Sequence, residues 1–282
     1  MIIKPFKNSH PLVLFTYFML VLFLAMVQRN YYIIFLIATG AVIMDYYYNS
    51  KVFLKDMRYF IILIIIVTIT NPLFVTEGFN ILYQNNYITI TSQALVYGFV
   101  FGILLGSMLL WFKVLKACLT DSHIVYLFGS ILPTLGLVIS MSLNIISKLK
   151  RQYQKIKEAN VNMPVTNKFS YYRNVVVILI TYAFESSLEM MSSMEARGYG
   201  QAKRTNFHLY SFRSDDVLKL FVVVILAGIC FYGYFRMYRN FYYYPIIQKY
   251  SFHWLDGLYM LAYLALMLLP IYLGGKKDVS NK

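Results

Sequence analysis

The chain has little charge for its length. Only 13% of its 282 residues are charged, whereas 59% are hydrophobic and 18% are aromatic. Average soluble domains carry roughly 25% charged residues, and their apolar residues do not recur in long uninterrupted runs. The composition therefore excludes an ordinary soluble protein and is typical of a membrane protein with several spans.

The motifs that carry catalysis are missing. There is no Gly-x-x-x-x-Gly-Lys-Ser/Thr phosphate loop, so we expect no ATP hydrolysis by this chain. No His-Glu-x-x-His helix or nucleophile elbow is present, which argues against a membrane protease or a lipid-processing enzyme. The histidines show no metal-ligand spacing. We predict a protein with no catalytic site, no metal site and no cofactor.

Long apolar runs dominate what is present. A bilayer core needs roughly 20 apolar residues per helix. Runs that approach this length occupy residues 12 to 28, 31 to 48, 58 to 75, 93 to 112, 216 to 235 and 253 to 273. The sequence therefore predicts an all-α polytopic membrane protein with about six transmembrane helices.

The basic residues predict the orientation of these spans. If the N-terminus is cytosolic, only four of the 26 lysines and arginines fall on the external side: Arg29, Arg236, Arg239 and Lys249. Cytosolic loops of membrane proteins carry the excess of positive charge. We predict a cell-membrane protein with both termini in the cytoplasm. Because orientation explains the net charge of +14, we predict no nucleic-acid partner.

Residues 113 to 215 separate the N-terminal spans, residues 1 to 112, from the C-terminal spans, residues 216 to 282. This region contains two moderately apolar stretches, 123 to 147 and 174 to 194, which polar residues interrupt. We interpret the region as cytosolic, with two long amphipathic helices. The first helix has an apolar stripe, with basic residues opposite that could face anionic lipid or a protein. The stripe is Leu143, Ile146, Leu149, Tyr153 and Ile156, and the basic residues are Lys148, Lys150, Arg151, Lys155 and Lys157.

The second amphipathic helix repeats the pattern and ends in a distinctive motif. Its stripe is Phe184, Leu188, Met191 and Met194. The sequence then reads Glu195-Ala196-Arg197-Gly198-Tyr199-Gly200. An arginine followed by glycine is an ordinary helix end, because cations favour the last turn and glycine accepts the left-handed cap conformation. An exposed guanidinium is also suited to bidentate pairing with a partner's carboxylates.

A row of small residues marks the fourth span. Gly98, Gly102 and Gly106 recur every four residues, so they share one helix face and allow another helix to approach closely. Packing within the same subunit is the favoured interpretation. Docking of a second membrane subunit is the alternative.

The Glu195-Ala196-Arg197-Gly198 motif, followed by Ala202-Lys203-Arg204-Thr205, resembles the second signature of the transmembrane (T) component of energy-coupling factor transporters. The resemblance extends over about residues 60 to 220. It implies a vitamin or metal importer in which this subunit joins a substrate-binding membrane (S) subunit to two cytosolic ABC-type ATPases. In that family two coupling helices each insert an arginine into an ATPase groove.

The resemblance assigns roles to individual residues. Arg197 matches the second coupling arginine, and Glu195, Ala196 and Gly198 would shape the helix end around it. The first segment departs from the family pattern, because no arginine follows Ala159, and Lys155 or Lys157 would have to make that contact. The residues expected to contact the membrane subunit are Leu149, Tyr153, Leu188 and Met191, with the glycine row as the further candidate.

Two other function classes remain open at this point. The chain could be an ATP-independent membrane protein, either a carrier that acts alone or an anchor whose basic helices bind anionic membrane lipid. A membrane enzyme is the weaker alternative, since no catalytic constellation can be assembled. Copurification of ABC-type ATPases would discriminate between these classes.

Overall fold

The structure is a computed structural model that describes residues 9–75, 78–84, 89–131, 133–160, 168–201, 210, 212–238, 241–248 and 253–275. These residues form the all-α architecture predicted from the sequence, with one short antiparallel hairpin. The helices are α1 (Pro11–Val27), α2 (Tyr31–Asn49), α3 (Phe53–Phe74), α4 (Ser92–Cys118), α5 (Asp121–Ile131), α6 (Pro133–Ala159), α7 (Lys168–Ala196), α8 (Ser214–Gly233) and α9 (Trp254–Gly275). The hairpin, β1 (Ile81–Gln84) and β2 (Thr89–Thr91), joins α3 to α4.

Polar side chains fix the starts of three helices. Asn30 caps α2 through its Oδ1, which accepts a hydrogen bond from the Tyr32 amide at 2.9 Å. Thr91 caps α4 in the same way, with a 3.3 Å bond from the Ala94 amide to its hydroxyl oxygen. His10 accepts from the Leu12 amide at the start of α1, and Pro11 occupies the first turn, where its missing N–H costs no helical bond.

The chain divides into two compact units, residues 1–120 with 210–282 and residues 121–209. The first unit contains α1 to α4, α8 and α9, and its core is apolar and aromatic. Trp111 of α4 is fully buried and meets Tyr17 and Phe18 of α1 edge-on, with ring centroids 6.4 and 6.3 Å apart. The Tyr17 hydroxyl donates to the Leu266 carbonyl of α9 at 3.1 Å, so the large aromatic side chains join three helices.

The second unit is made of α5, α6 and α7. Pro133 begins α6 and divides the apolar stretch from 123 to 147 between two helices. With 11 residues, α5 is too short to cross a bilayer. The proline ends the preceding helix, so the stretch does not form one continuous helix. Its position outside the membrane stays a prediction.

Six helices are long and apolar enough to cross a membrane among the described residues, which is the number predicted. The set nevertheless differs by two members. Helix α7 qualifies because its central part, from Val175 to Phe184, is almost continuously apolar. Helix α1 is apolar but shorter, with 17 residues. The cytosolic position of α7 remains a prediction.

Candidate functional site

The C-terminal end of α7 carries the Ala-Arg-Gly motif, and backbone hydrogen bonds close it. The Tyr199 amide donates to the Met194 carbonyl at 3.0 Å, and the Gly198 amide donates to the Glu195 carbonyl at 2.9 Å. This pair of bonds defines a Schellman motif with Gly198 as its left-handed residue. The φ of Gly198 is 78°, a conformation that side-chain-bearing residues rarely adopt.

This closure leaves the side chain of Arg197 available. Arg197 is the last residue before the left-handed glycine, and it is exposed. Among the described residues its guanidinium has no hydrogen-bond or ion-pair partner. A planar cation with five donors, held at the end of a closed helix, can bind a carboxylate or a set of carbonyl groups on another molecule.

Glu195 lies in the last turn of the same helix and is also exposed. A carboxylate at this position faces the negative end of the helix dipole, which is unfavourable by roughly 0.3–1 kcal/mol. Within the described part of the chain Glu195 has no cationic partner that offsets this cost. A local conflict of this kind is expected where a residue serves a contact outside the chain.

The end of α6 closes differently. Asn160 donates from its amide and from its side-chain Nδ2 to the same carbonyl, that of Ile156, at 3.1 and 2.7 Å. Ala159, Lys155 and Lys157 are exposed on the last turns. The segment from Val161 to Pro164, where the family arginine is missing, lies outside the described residues.

Helices α6 and α7 meet near their middles. The Lys148 Nζ donates to the Ser186 hydroxyl at 3.3 Å, and Ser186 is buried. Lys148 therefore faces α7, which differs from the prediction that it lies on the basic face toward lipid or a partner. Ala159 lies 11 residues beyond Lys148 and Ala196 lies 10 residues beyond Ser186, so each tip is roughly 15 Å along its helix from this contact.

The apolar stripe of α7 is exposed. Phe184, Leu188 and Met191 expose 69%, 67% and 55% of their surface, whereas Val175 and Ser186 lie on the buried line of the helix. On α6, Leu149 is half-buried and Tyr153 is exposed. The structure thus brings a basic tip, an acidic residue and an uncovered apolar line together on one helix.

The glycine row of α4 is covered by α3. A Cβ on Gly102 would lie 3.1 Å from the Ile64 Cα, and one on Gly106 would lie 2.6 Å from the Phe60 ring. On Gly98 a Cβ would lie 2.8 Å from the Asn71 Cβ. The favoured interpretation, packing within the subunit, describes this face. Helix α3 occupies the close approach that these glycines permit. Docking of another subunit at this row stays a prediction.

One contact in the second unit was missed from the sequence. A Cβ on Gly136 would lie 2.6 Å from the Gly129 Cα, so α5 and α6 cross backbone against backbone. The signal was present, since two glycines flank Pro133 at similar distances, but their pairing appears only when the chain folds back at the proline.

The chemistry of this site is that of recognition. No cluster of three or more metal-ligating side chains occurs in the part of the chain that the structure describes. Exposed arginine, lysine and apolar side chains at helix ends suit protein contacts, in which arginine and buried apolar anchors contribute most of the binding energy.

The fold and the site together define a multi-pass α-helical membrane protein with an exposed basic tip on a long helix. No protein-family model matches the chain. It is 29% identical to the energy-coupling factor transporter transmembrane protein EcfT of Streptococcus equi subsp. equi (strain 4047), over 182 aligned residues that cover 58% of this chain and 68% of the relative. The similarity to a protein of this name agrees with the resemblance carried by the Ala-Arg-Gly motif.

Proposed function

We propose that this chain is the energy-coupling transmembrane subunit of an importer, in which the tips of α6 and α7 bind two ABC-type ATPases. The observation that carries the proposal is the end of α7, where a Schellman motif orients Arg197 without using its side chain. A relative named as a transmembrane protein of an energy-coupling factor transporter supports the same role. The subunit itself is non-catalytic.

The proposed mechanism uses the geometry of the second unit. The two tips lie at similar distances from the Lys148–Ser186 contact. When the ATPases close on ATP, their grooves move the tips, and packed helices transmit such displacements because they have few voids to absorb them. The exposed line of Leu188 and Met191 would pass this movement to a separate substrate-binding membrane subunit, which selects the vitamin or metal.

The proposed topology places both termini in the cytoplasm. The six helices of the first unit would be the spans, because α1, with 17 residues, reaches the lower limit of spanning lengths. Helix α7 would lie on the cytosolic side, since its second half carries Glu185, Glu189 and Glu195. A cysteine placed at Ser192 should react with an impermeant thiol reagent in inverted vesicles and not in intact cells. Labelling in intact cells would contradict this topology.

The main test is copurification. Arg197→Glu should abolish recovery of the two ATPases with the tagged chain in mild detergent and should abolish ATP-driven uptake. The matched control is Arg173→Glu, since Arg173 is exposed on the same helix and its guanidinium donates only to Ser170, at 3.3 Å. Unchanged recovery with Arg197→Glu would refute the assigned anchor, and a wild-type chain that recovers no ATPase would favour the ATP-independent carrier or anchor.

A further inference from the structure

The first unit contains a cavity of about 480 Å³ that no coupling role requires. It lies beside the connection from α1 to α2. Its other walls are the end of α3, the first half of α4 and the segment that follows α8. The volume falls within the range of roughly 300–1,000 Å³ typical of small-molecule sites. By the predicted topology this is the external end of the bundle.

Aromatic side chains form the apolar walls of the cavity. Tyr97 and Phe101 of α4 stack with ring planes 7° apart and centroids 5.8 Å apart. Tyr243 meets Tyr97 edge-on at 5.1 Å, and Phe241 meets Tyr243 at 5.1 Å. Phe101 and Met26 expose 38% and 75% of their surface, so the walls continue onto the outer faces of α4 and α1. Such a wall suits a hydrocarbon chain that enters from the lipid.

A hydrogen bond ties the aromatic wall to the backbone of the α1–α2 connection. The Tyr243 hydroxyl donates to the Arg29 carbonyl at 2.8 Å. Burial, together with the neighbouring Tyr97, raises the pKa of Tyr243 well above its ordinary value, so the hydroxyl remains a donor at any physiological pH. The bond holds Tyr243 and Arg29 at the same rim.

Two polar groups of the cavity lining lack partners. Gln28 is 97% buried, its Nε2 donates to the Tyr263 hydroxyl, and its Oε1 has no hydrogen-bond partner among the described residues. A buried acceptor left in this state is costly unless a donor reaches it. Arg29 is exposed, and within the described chain its guanidinium has no ion-pair or hydrogen-bond partner. The cavity thus offers one buried acceptor and one unneutralised cation.

We propose that this cavity binds an anionic phospholipid whose headgroup carries a hydroxyl group. The lipid phosphate pairs with Arg29, and the headgroup hydroxyl donates to Gln28 Oε1. One acyl chain lies along Tyr97 and Phe101. The position fits, because the ends of spanning helices lie at the level of the lipid headgroups. Charge complementarity selects an anionic lipid over a zwitterionic one, since Arg29 is the cation of the lining.

The test is native mass spectrometry of the full chain in detergent, with phosphatidylglycerol and phosphatidylcholine as probes. Phosphatidylglycerol should bind at least tenfold more tightly, and Arg29→Gln should remove that preference. The matched control is Arg236→Gln, because Arg236 is exposed after α8, bonds the Tyr232 hydroxyl at 3.3 Å and does not line the cavity. Equal binding of the two lipids, or equal losses in the two variants, would overturn the proposal and leave lipid bound only around the protein surface.

Two further arms separate the parts of the proposal. Phosphatidylmethanol carries the same single negative charge but has no headgroup hydroxyl, so it should bind the wild type several-fold more weakly than phosphatidylglycerol, and Gln28→Met should remove that difference. Wild type alone decides this arm if Gln28→Met does not fold. Glycerol phosphate should not displace the lipid at equal concentration, because it cannot contact the aromatic wall. Displacement by glycerol phosphate would show that the cavity binds a soluble anion and would overturn the proposed lipid site.

Discussion

Helices α6 and α7 both end on an exposed alanine, yet they use opposite means to satisfy their last carbonyl groups. At the end of α6 the side chain of Asn160 bends back and donates to the Ile156 carbonyl. The side chain that follows the helix is therefore used within the chain. At the end of α7 the backbone amides of Gly198 and Tyr199 close the helix. The side chain of Arg197 makes no hydrogen bond or ion pair within the described chain. The comparison shows how a backbone cap releases a side chain for binding.

The position of the cations differs as well. Arg197 lies at the very end of α7, where a partner that approaches along the helix axis would meet it. Lys155 and Lys157 lie on the flank of the last turns of α6, and each has a flexible stem with a compact charge. If both tips bind ATPases, the α7 contact should be the stronger and more directional of the two.

The largest expected effect separates these two tips directly. Arg197→Ala should lower the affinity of the complex for its ATPase about 100-fold, in keeping with the roughly 2–4 kcal/mol typical of an arginine hot spot. Lys157→Ala should lower it less than about fivefold, because an exposed lysine pair contributes roughly 0.2–1 kcal/mol. Binding of purified ATPases to the subunit in nanodiscs measures both. Equal losses would show that the two closures do not matter for binding.

Gly198→Ala tests the closure itself. An L-residue in the left-handed conformation costs roughly 1–2 kcal/mol, so the end of α7 should open and ATPase binding should fall about tenfold. Asn160→Ala at the other tip removes one side-chain bond and should cost about 1 kcal/mol or less. Hydrogen exchange of residues 194 to 201 and of the last turn of α6 reports each effect. Undisturbed exchange in Gly198→Ala would contradict the proposed cap.

The apolar line of α7 gives a third test, with an expected loss of binding no larger than that of Gly198→Ala. Leu188→Ser should leave the free energy of unfolding within about 0.5 kcal/mol, because Leu188 is 67% exposed. It should still lower recovery of the substrate-binding subunit several-fold. Glu189→Ser is the matched control on the same turn. A large loss of stability in Leu188→Ser would mean that the residue is packed within the chain.

The smallest effect is expected at Glu195. Glu195→Gln removes a charge that opposes the helix dipole and should stabilise the end of α7 by about 0.3 kcal/mol. If the carboxylate binds a partner, ATPase affinity should nevertheless fall about threefold. In this variant hydrogen exchange at the end of α7 would then show a gain in stability, whereas binding measurements would show a loss of ATPase affinity. A gain in both stability and ATPase affinity would show that Glu195 plays no part in the ATPase contact.

Several features of the fold follow from the sequence because their causes are local. Apolar runs of bilayer length predict spans, and Arg197-Gly198 predicts a helix end, since both depend on residues that are neighbours in the chain. Helix α7 shows the limit of this reasoning. Ten nearly apolar residues are followed by a polar half, and composition alone permits either a span or a surface helix.

Other features depend on residues that are distant in sequence. The cavity combines Gln28, Tyr97 and Tyr243, whose positions become related only when the end of α1, α4 and the segment after α8 pack together. The glycine row was recognised, but its neighbour α3 could not be chosen from the pattern, because a small-residue face accepts any helix that approaches closely. The crossing of Gly129 and Gly136 required knowledge that the chain reverses at Pro133.

That crossing gives the second unit two unequal joints. Between α5 and α6 no side chain separates the backbones at Gly129 and Gly136, so the joint has almost no compliance. Between α6 and α7 the described polar link is a single lysine on a four-carbon stem, which tolerates sliding. If the two tips bind ATPases as proposed, a load applied at the end of α6 would pass into α5 with little loss, whereas α7 would follow with some sliding along α6.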